Sequence, residues 1–249
     1  LGTTGETATL SHEERKQVWA FTSKHVNKRI PLVAGIGGNN THEIVEQIRN
    51  FEKLDYIAIL SVSPYYNKPT QAGYIAHYNM LAENTDLPII LYNVPGRTGS
   101  NVLAETTLEL AEIKNIVAMK EASGNMEQIM EIIRCKPEGF LVLSGDDAIT
   151  MPLIAAGADG VISVVANSFP AHFSKMVSSA LNGDMETARK YHYDLLPITK
   201  LLFAEGNPGG VKIALEELGW MKPTMRLPLV QVSDALKAKI IAETKKLVG

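Results

Sequence analysis

The chain has 249 residues, a hydrophobic content of 45% and a formal net charge of −3, which describe an ordinary globular protein with one sizeable core. Its basic residues are scattered, which argues against nucleic-acid binding, and no apolar stretch approaches the roughly 20 residues of a membrane span. A single cysteine, Cys135, excludes an internal disulfide framework, and the chain lacks the clustered Cys and His ligands of a structural zinc site. We therefore expect a cytoplasmic protein whose partners are small molecules.

The first predicted helix runs from Ser11 to Val26, and Ser11 and Glu14 have the spacing of a capping box at its start. A second helix is predicted over 41–54. Short apolar runs recur along the chain and read as six buried strands, at 32–36, 56–60, 88–92, 116–120, 140–143 and 160–164. Helix-length amphipathic segments separate them, and further helices are predicted over 168–181, 184–204, 208–219 and 233–247.

Strands that alternate with helices predict an α/β fold with a parallel sheet. The chain has no G-x-G-x-x-G turn to support a dinucleotide fold, so the pattern favours a (β/α)₈ TIM barrel over a doubly wound sheet. Residues 1–5 read as the end of a strand and its loop. We therefore expect the first strand, the first helix and most of the second strand of the barrel to be missing, with the barrel over 1–183 and a C-terminal helical region over 184–249.

Lys120 ends the fourth apolar run, where a charged amine is costly because a parallel strand is buried on both faces. A buried lysine tends to release its proton, and the neutral amine is a nucleophile that can form an imine with a carbonyl substrate. Lys120 could instead extend to solvent or pair with Glu121, and taken alone it does not decide between these alternatives.

Further polar motifs fall at strand ends, where a barrel of this kind builds its active site. Tyrosine suits proton transfer and arginine suits bidentate carboxylate binding. Each motif alone also has a structural explanation, such as packing or a capped turn, so the interpretation rests on their coincidence. The motifs are Gly2-Thr3-Thr4-Gly5-Glu6, Tyr65-Tyr66-Asn67, Tyr92-Asn93-Val94-Pro95-Gly96-Arg97-Thr98-Gly99, Lys120-Glu121-Ala122-Ser123-Gly124 and Ser144-Gly145-Asp146-Asp147.

Together these motifs resemble the dihydrodipicolinate synthase and N-acetylneuraminate lyase family, aldolase-like barrels that bind pyruvate as a lysine Schiff base. The resemblance covers the entire chain. Thr3-Thr4 and Arg97 resemble the synthases, because the lyases typically have a serine before the threonine and no arginine in that loop. The implied reaction condenses pyruvate with L-aspartate 4-semialdehyde to 4-hydroxy-tetrahydrodipicolinate in lysine and diaminopimelate biosynthesis, without a metal or organic cofactor.

The resemblance also implies roles for single residues. Lys120 would form the imine, and Tyr92 would relay protons with Thr3 and with Tyr66, which a neighbouring protomer contributes. Thr4, Ile162 and Gly145 match substrate-binding positions, and Arg97 matches the position that receives the carboxylate of the semialdehyde. A shared active site implies a homo-oligomer, expected to be a tetramer built as a dimer of dimers.

A second site is implied because many synthases of the family bind lysine at a dimer interface as a feedback inhibitor. The matching residues are Thr7, Ala8, His12, Asn39, Glu43 and Tyr65. Arg15 stands where some relatives carry histidine and adds positive charge near this site.

Two alternatives stay open. One is another pyruvate-dependent aldolase of the family, acting on sialic acid or a 2-keto-3-deoxy sugar acid, against which Arg97 argues. The other is an inactive barrel that serves as a lysine-responsive regulatory protein, against which the intact set Lys120, Tyr92, Thr3 and Tyr66 argues.

Overall fold

The computed structural model describes all residues from Leu1 to Gly249, and strands and helices alternate along most of the chain. The strands are β1 (Leu32–Gly35), β2 (Tyr56–Val62), β3 (Ile89–Asn93), β4 (Ile116–Glu121), β5 (Leu141–Ser144) and β6 (Gly160–Val161). The helices are α1 (His12–Val26), α2 (Thr41–Arg49), α3 (Gln71–Ala82), α4 (Pro95–Thr98), α5 (Ala104–Ala111), α6 (Met126–Cys135), α7 (Thr150–Ala155), α8 (Pro170–Leu181), α9 (Met185–Phe203), α10 (Gly209–Glu217) and α11 (Asp234–Val248). Short 3₁₀ helices cover Thr7–Thr9, Asp147–Ile149 and Val165–Asn167.

The six strands form one sheet in the order β1-β2-β3-β4-β5-β6, and the pairs from β1 to β5 are parallel. Sequential strands that pair in parallel need a crossover between them, which the intervening helices supply. The predicted α/β class and the six predicted strands are therefore confirmed. None of the helices combines the length and the apolar character needed to cross a membrane.

By its internal contacts the chain divides into two compact units. The first comprises Leu1–Gly2, Ser11–Gly145 and Ala156–Asp159, and the second comprises Thr3–Leu10, Asp146–Ala155 and Gly160–Gly249. The boundary expected between residues 183 and 184 stays a prediction.

The start of α1, in the first unit, has the predicted capping box. The Ser11 hydroxyl accepts a hydrogen bond from the Glu14 amide at 3.2 Å, and the Glu14 carboxylate accepts one from the Ser11 amide at 2.8 Å. Further along the helix, Trp19 packs edge-on against Phe51 with ring centroids 5.0 Å apart. The capping box stabilises the start of α1, and the Trp19–Phe51 contact packs its middle against the rest of the first unit.

The prediction that the second helix extends to residue 54 was wrong, because α2 ends at Arg49. Asn50 caps the helix, and its side-chain amide donates to the Glu46 carbonyl at 2.8 Å. Leu54 has a φ of 43°, in the left-handed region, which is incompatible with a continuing right-handed helix. The asparagine is the signal that marks the true end.

The second unit has its own apolar core, formed by the buried faces of α8 to α11 together with Val165 and Phe169. Strand β6 is shorter than the predicted strand 160–164. The Asp147 carboxylate accepts hydrogen bonds from the amides of Val164 and Val165, each at 2.9 Å, so the amide of Val164, at the end of the predicted strand, is not available to a strand ladder. Burial raises the pKa of the Asp147 carboxyl, and these hydrogen bonds oppose the rise.

Candidate active site

Lys120 and Tyr92 face each other at the carboxyl ends of neighbouring strands. The register of β3 and β4 pairs the two residues directly. The Lys120 Nζ lies 4.0 Å from the centroid of the Tyr92 ring, and the two residues are only 9% and 6% exposed. The ring therefore borders the space that the amine occupies. The predicted lysine and tyrosine are therefore brought together.

Below this pair the same face of the sheet is apolar. Ile90 and Ala118 each precede a member of the pair by two positions on the same strand, so their side chains lie on the same face. They form a buried cluster with Ala58, against which Leu60 and Leu143 pack. Apolar surroundings disfavour the charged form of an amine, which supports the expectation that Lys120 can act as a nucleophile.

Gly145 lies directly beside Lys120. Its amide donates to the Glu121 carbonyl at 2.7 Å. A Cβ at this position would lie 3.0 Å from the Lys120 Cε and 2.8 Å from the Ala122 Cβ, closer than normal packing permits. Glycine therefore leaves room for the lysine chain, a role that adds to the substrate contact expected for this residue.

On the opposite face, the same two strand ends carry a polar network that the sequence analysis missed. Glu121 is fully buried, and its carboxylate accepts hydrogen bonds from Asn93 Nδ2 at 3.1 and 3.2 Å, from the Ser123 amide at 2.7 Å and from Gln128 Nε2 at 3.1 Å. Burial raises the pKa of the Glu121 carboxyl, and its hydrogen bonds oppose the rise. Asn93 and Glu121 each come one position after a residue of the Lys120–Tyr92 pair, and this spacing is the signal that could have revealed them.

Three further predicted residues of the first unit lie on loops or short turns. Arg97 is exposed on α4, and its backbone amide donates to the Val94 carbonyl at 2.8 Å. Tyr66 is 89% exposed and has a φ of 72°, a left-handed conformation that is strained for a tyrosine. Tyr65 is partly exposed, and its carbonyl accepts a hydrogen bond from Asn39 Nδ2 at 3.1 Å.

Two residues predicted to bind lysine, His12 and Glu43, line one open cavity of about 280 Å³ between α1 and α2. Arg15 lines the same cavity and donates from Nη1 to Gln47 Oε1 at 3.2 Å. The cavity is therefore lined by two acidic residues, two basic residues and two histidines, all within one unit of the chain.

The remaining predicted residues belong to the second unit and are fixed locally. The Thr3 carbonyl accepts from the Glu6 amide at 3.0 Å, and the Thr4 hydroxyl accepts from Asn207 Nδ2 at 2.9 Å. Thr7 and Ala8 lie in the 3₁₀ helix Thr7–Thr9, and Ile162 directly follows β6. No three His, Cys, Asp or Glu side chains are grouped so that they could hold a metal ion.

A parallel sheet with a buried lysine and tyrosine paired at its carboxyl edge defines an α/β protein whose chemistry is placed at strand ends. The chain belongs to the dihydrodipicolinate synthetase family, whose model matches residues 1–247. This confirms the resemblance found in the sequence.

Individual relatives agree with the family match. A 4-hydroxy-tetrahydrodipicolinate synthase of Azobacteroides pseudotrichonymphae is 53% identical over 243 residues, which are 96% of this chain and 81% of that protein. A dihydrodipicolinate synthase of Acinetobacter baumannii, solved in complex with pyruvate, superposes with a TM-score of 0.96 at 41% identity and covers 99% of this chain and 85% of that one. The enzyme of Cyanidioschyzon merolae, solved with lysine bound, has a TM-score of 0.95 at 38% identity over 99% of this chain and 84% of that one.

Proposed function

We propose that this protein condenses pyruvate with L-aspartate 4-semialdehyde to 4-hydroxy-tetrahydrodipicolinate through an imine on Lys120. The observation that carries the proposal is the buried Lys120 amine 4.0 Å from the Tyr92 ring centroid, above an apolar face. The name of the Azobacteroides relative and the pyruvate bound by the Acinetobacter enzyme support the same reaction and the same first substrate.

In the proposed reaction, the neutral Lys120 amine attacks the pyruvate ketone, and loss of water leaves a protonated imine. The imine withdraws electrons from the neighbouring methyl group, which loses a proton and becomes an enamine carbon. That carbon attacks the aldehyde of the second substrate, forms the new carbon–carbon bond and leaves a hydroxyl group. The amino group of the second substrate then attacks the imine carbon and displaces the Lys120 amine, which closes the ring and frees the lysine. The chain needs no external electron acceptor for these steps.

Tyr92 is the proposed proton-transfer group because its ring lies 4.0 Å from the Lys120 amine and a tyrosine hydroxyl can donate and accept protons. The parts given to Thr3 and Tyr66 in the relay rest on their match to the family motifs. The exposed ring and left-handed backbone of Tyr66 support its insertion into a partner protomer, since neither feature is favourable in an isolated chain. We therefore propose a homo-oligomer, with a tetramer built as a dimer of dimers as the working form.

For the substrates, we propose that Gly145 leaves room beside Lys120 for pyruvate, and that Thr4 and Ile162 hold it as the family motifs imply. Arg97 is exposed, so its guanidinium can reach a substrate. It can bind the carboxylate of the semialdehyde with two parallel hydrogen bonds.

We also propose that lysine inhibits the enzyme. The cavity that contains His12 and Glu43 supports this, because an acidic side chain can neutralise the ammonium of a bound lysine. The hydrogen bond from Asn39 to Tyr65 holds two further residues of the expected site together. Thr7 and Ala8 complete the set by sequence match. Arg15 adds a positive charge to the cavity and opposes the binding of a cation.

We propose that the parallel sheet is part of a (β/α)₈ barrel, supported by the TM-scores of 0.95 and 0.96 to the solved relatives. A cytoplasmic location stays a prediction of the sequence.

The test is a comparison of two reactions catalysed by the same preparation. With pyruvate and L-aspartate 4-semialdehyde, the protein should consume both substrates in equal amounts, whereas N-acetylneuraminate should release no pyruvate. Cleavage of N-acetylneuraminate without the condensation would assign a lyase instead.

Arg97→Ala should leave imine formation with pyruvate largely intact but weaken use of the semialdehyde by roughly 2–4 kcal/mol in kcat/KM. Arg49→Ala, at another exposed arginine on α2, is the matched control and should leave both half-reactions unchanged.

A further inference from the structure

The ends of β3 and β4 carry two successive register pairs. Tyr92 pairs with Lys120, and Asn93 pairs with Glu121. Because successive side chains of a strand point to opposite faces, the second pair lies behind the first. The first pair forms the candidate active site, whereas the proposed reaction assigns no role to the second.

The buried Glu121 carboxylate accepts several hydrogen bonds. It is fully buried and accepts hydrogen bonds from N–H groups of Asn93, Ser123 and Gln128, and the Ser123 side chain also bonds it. Such donors favour the ionised carboxylate, although burial of a charge is costly and raises the pKa of the group. The hydrogen bonds offset part of that cost and make the carboxylate the common partner of these three residues.

The network reaches beyond Glu121 and connects several segments at the carboxyl end of the sheet. Asn93 Nδ2 also donates to Asn101 Oδ1 at 2.8 Å, and Asn93 Oδ1 accepts from the Val102 amide at 3.1 Å. The backbone adds a hydrogen bond from the Ala122 amide to the Asn93 carbonyl at 2.9 Å. The two strand ends and the loops that follow them are therefore bound into one rigid unit on the face opposite Lys120.

We propose that Glu121 is a positioning residue: by binding Asn93 and Ser123, its carboxylate holds the ends of β3 and β4 where the Lys120 amine meets the Tyr92 ring. This inference rests on the proposed imine chemistry and names what keeps its nucleophile in place. A displacement of about 1 Å in a reacting group can lower a rate by roughly 100-fold. Loss of the hydrogen bonds made by Glu121 should therefore lower the rate of the reaction. Substrate affinity depends on other contacts and should change little.

The test measures the rate of imine formation by mixing enzyme with pyruvate and quenching with borohydride after increasing times. Glu121→Gln keeps the shape but removes the charge and one acceptor. Its rate constant at saturating pyruvate should fall by about 10- to 100-fold, while the half-saturating pyruvate concentration changes by less than about 3-fold and labelling still reaches completion. Asp159→Asn is the matched control: its carboxylate binds Lys136 and the Val142 amide at the opposite end of the strands, so its rate constant should equal that of the wild type.

A second variant tests the same proposal if Glu121→Gln does not fold. Asn93→Ala keeps the carboxylate and its bonds to Ser123 and Gln128 but removes the cross-strand bond, and it should slow imine formation similarly. If both single variants fold, the double variant should be no slower than the slower single one, because each change breaks the same tether. A normal rate constant with incomplete labelling in either variant would mean that Glu121 serves only folding, and would overturn the inference. Absence of trapping in the wild type would instead overturn the proposed function, and this inference with it.

Discussion

Lys120 and Tyr92 are cross-strand neighbours on β4 and β3, and the lysine Nζ lies 4.0 Å from the centre of the tyrosine ring. The parallel register places both side chains on one face at the carboxyl edge of the sheet. An amine that is to form an imine must lose its proton and later exchange protons with its substrate, and a tyrosine hydroxyl carried by the adjacent ring can serve both steps.

Replacement of Tyr92 by phenylalanine should separate proton transfer from packing. Phe keeps the ring beneath the Lys120 amine, so the protein should fold normally, but kcat for the condensation should fall by roughly 10²- to 10⁴-fold. Steady-state kinetics and thermal unfolding measure the two effects. Tyr74→Phe is the control, because this buried tyrosine bonds Ser100 and is not part of the candidate site. It should lower stability by about 1 kcal/mol and leave kcat unchanged. Near-normal turnover of Tyr92→Phe would show that another group moves the proton.

Lysine inhibition should depend on the charge of Glu43. Glu43→Gln keeps the shape of the cavity but removes the negative charge, so inhibition by lysine should weaken substantially while turnover without lysine stays the same. The experiment records turnover against lysine concentration. Glu46→Gln changes a second carboxylate of the same cavity, one that bonds Arg49, and should behave as the wild type does. A wild type that millimolar lysine does not inhibit would refute the regulatory proposal and leave the catalytic one intact.

His77 should make the protein less stable in mild acid. Its Nδ1 lies 2.8 Å from the Thr41 hydroxyl, its Nε2 is buried without a hydrogen-bond partner, and burial lowers its pKa to about 4. The unfolded chain, in which a histidine has a pKa of about 6.5, therefore binds more protons between these two values, so stability falls as the pH falls through this range. Between pH 7.5 and 5 this single group should lower the free energy of unfolding by about 2 kcal/mol.

Urea unfolding of wild type and His77→Gln at pH 7.5 and pH 5 measures this contribution. Glutamine can still bond Thr41 but does not titrate, so the variant should lose about 2 kcal/mol less than the wild type on acidification. His25→Gln replaces an exposed histidine and should lose as much as the wild type. Equal losses in the wild type and in His77→Gln would contradict the assignment of the acid sensitivity to His77.

Much of the fold could be predicted because its signals are local. Buried parallel strands are short apolar runs, and the Ser11–Glu14 capping box can be read from residue spacing alone. One error arose where a side chain binds the backbone over a longer range: the Asp147 carboxylate binds the amide of Val164, the last residue of the predicted sixth strand. The end of α2 at Asn50 was a local signal that was overlooked.

The candidate site shows the same division. Lys120 could be found because a charge inside an apolar run is conspicuous. Tyr92 could be found because a barrel of this kind builds its active site at the carboxyl ends of its strands. The positions of Asn93 and Glu121, each one after a member of that pair, could have been read from the sequence. Their hydrogen bonds could not, because Asn93 and Gln128 lie 28 and 7 positions from Glu121 and the bonds depend on strand register and helix packing. The space that Gly145 leaves beside Lys120 likewise follows only from three-dimensional packing.

The central claim is that Lys120 is the amine that binds pyruvate, and borohydride trapping tests it most directly. The protein is incubated with pyruvate, reduced, digested and mapped by mass spectrometry. We expect one labelled site at Lys120 in the wild type and no label in Lys120→Arg, since a guanidinium stays protonated and cannot form the imine. A label on a different lysine, or a label that persists in Lys120→Arg, would contradict the account.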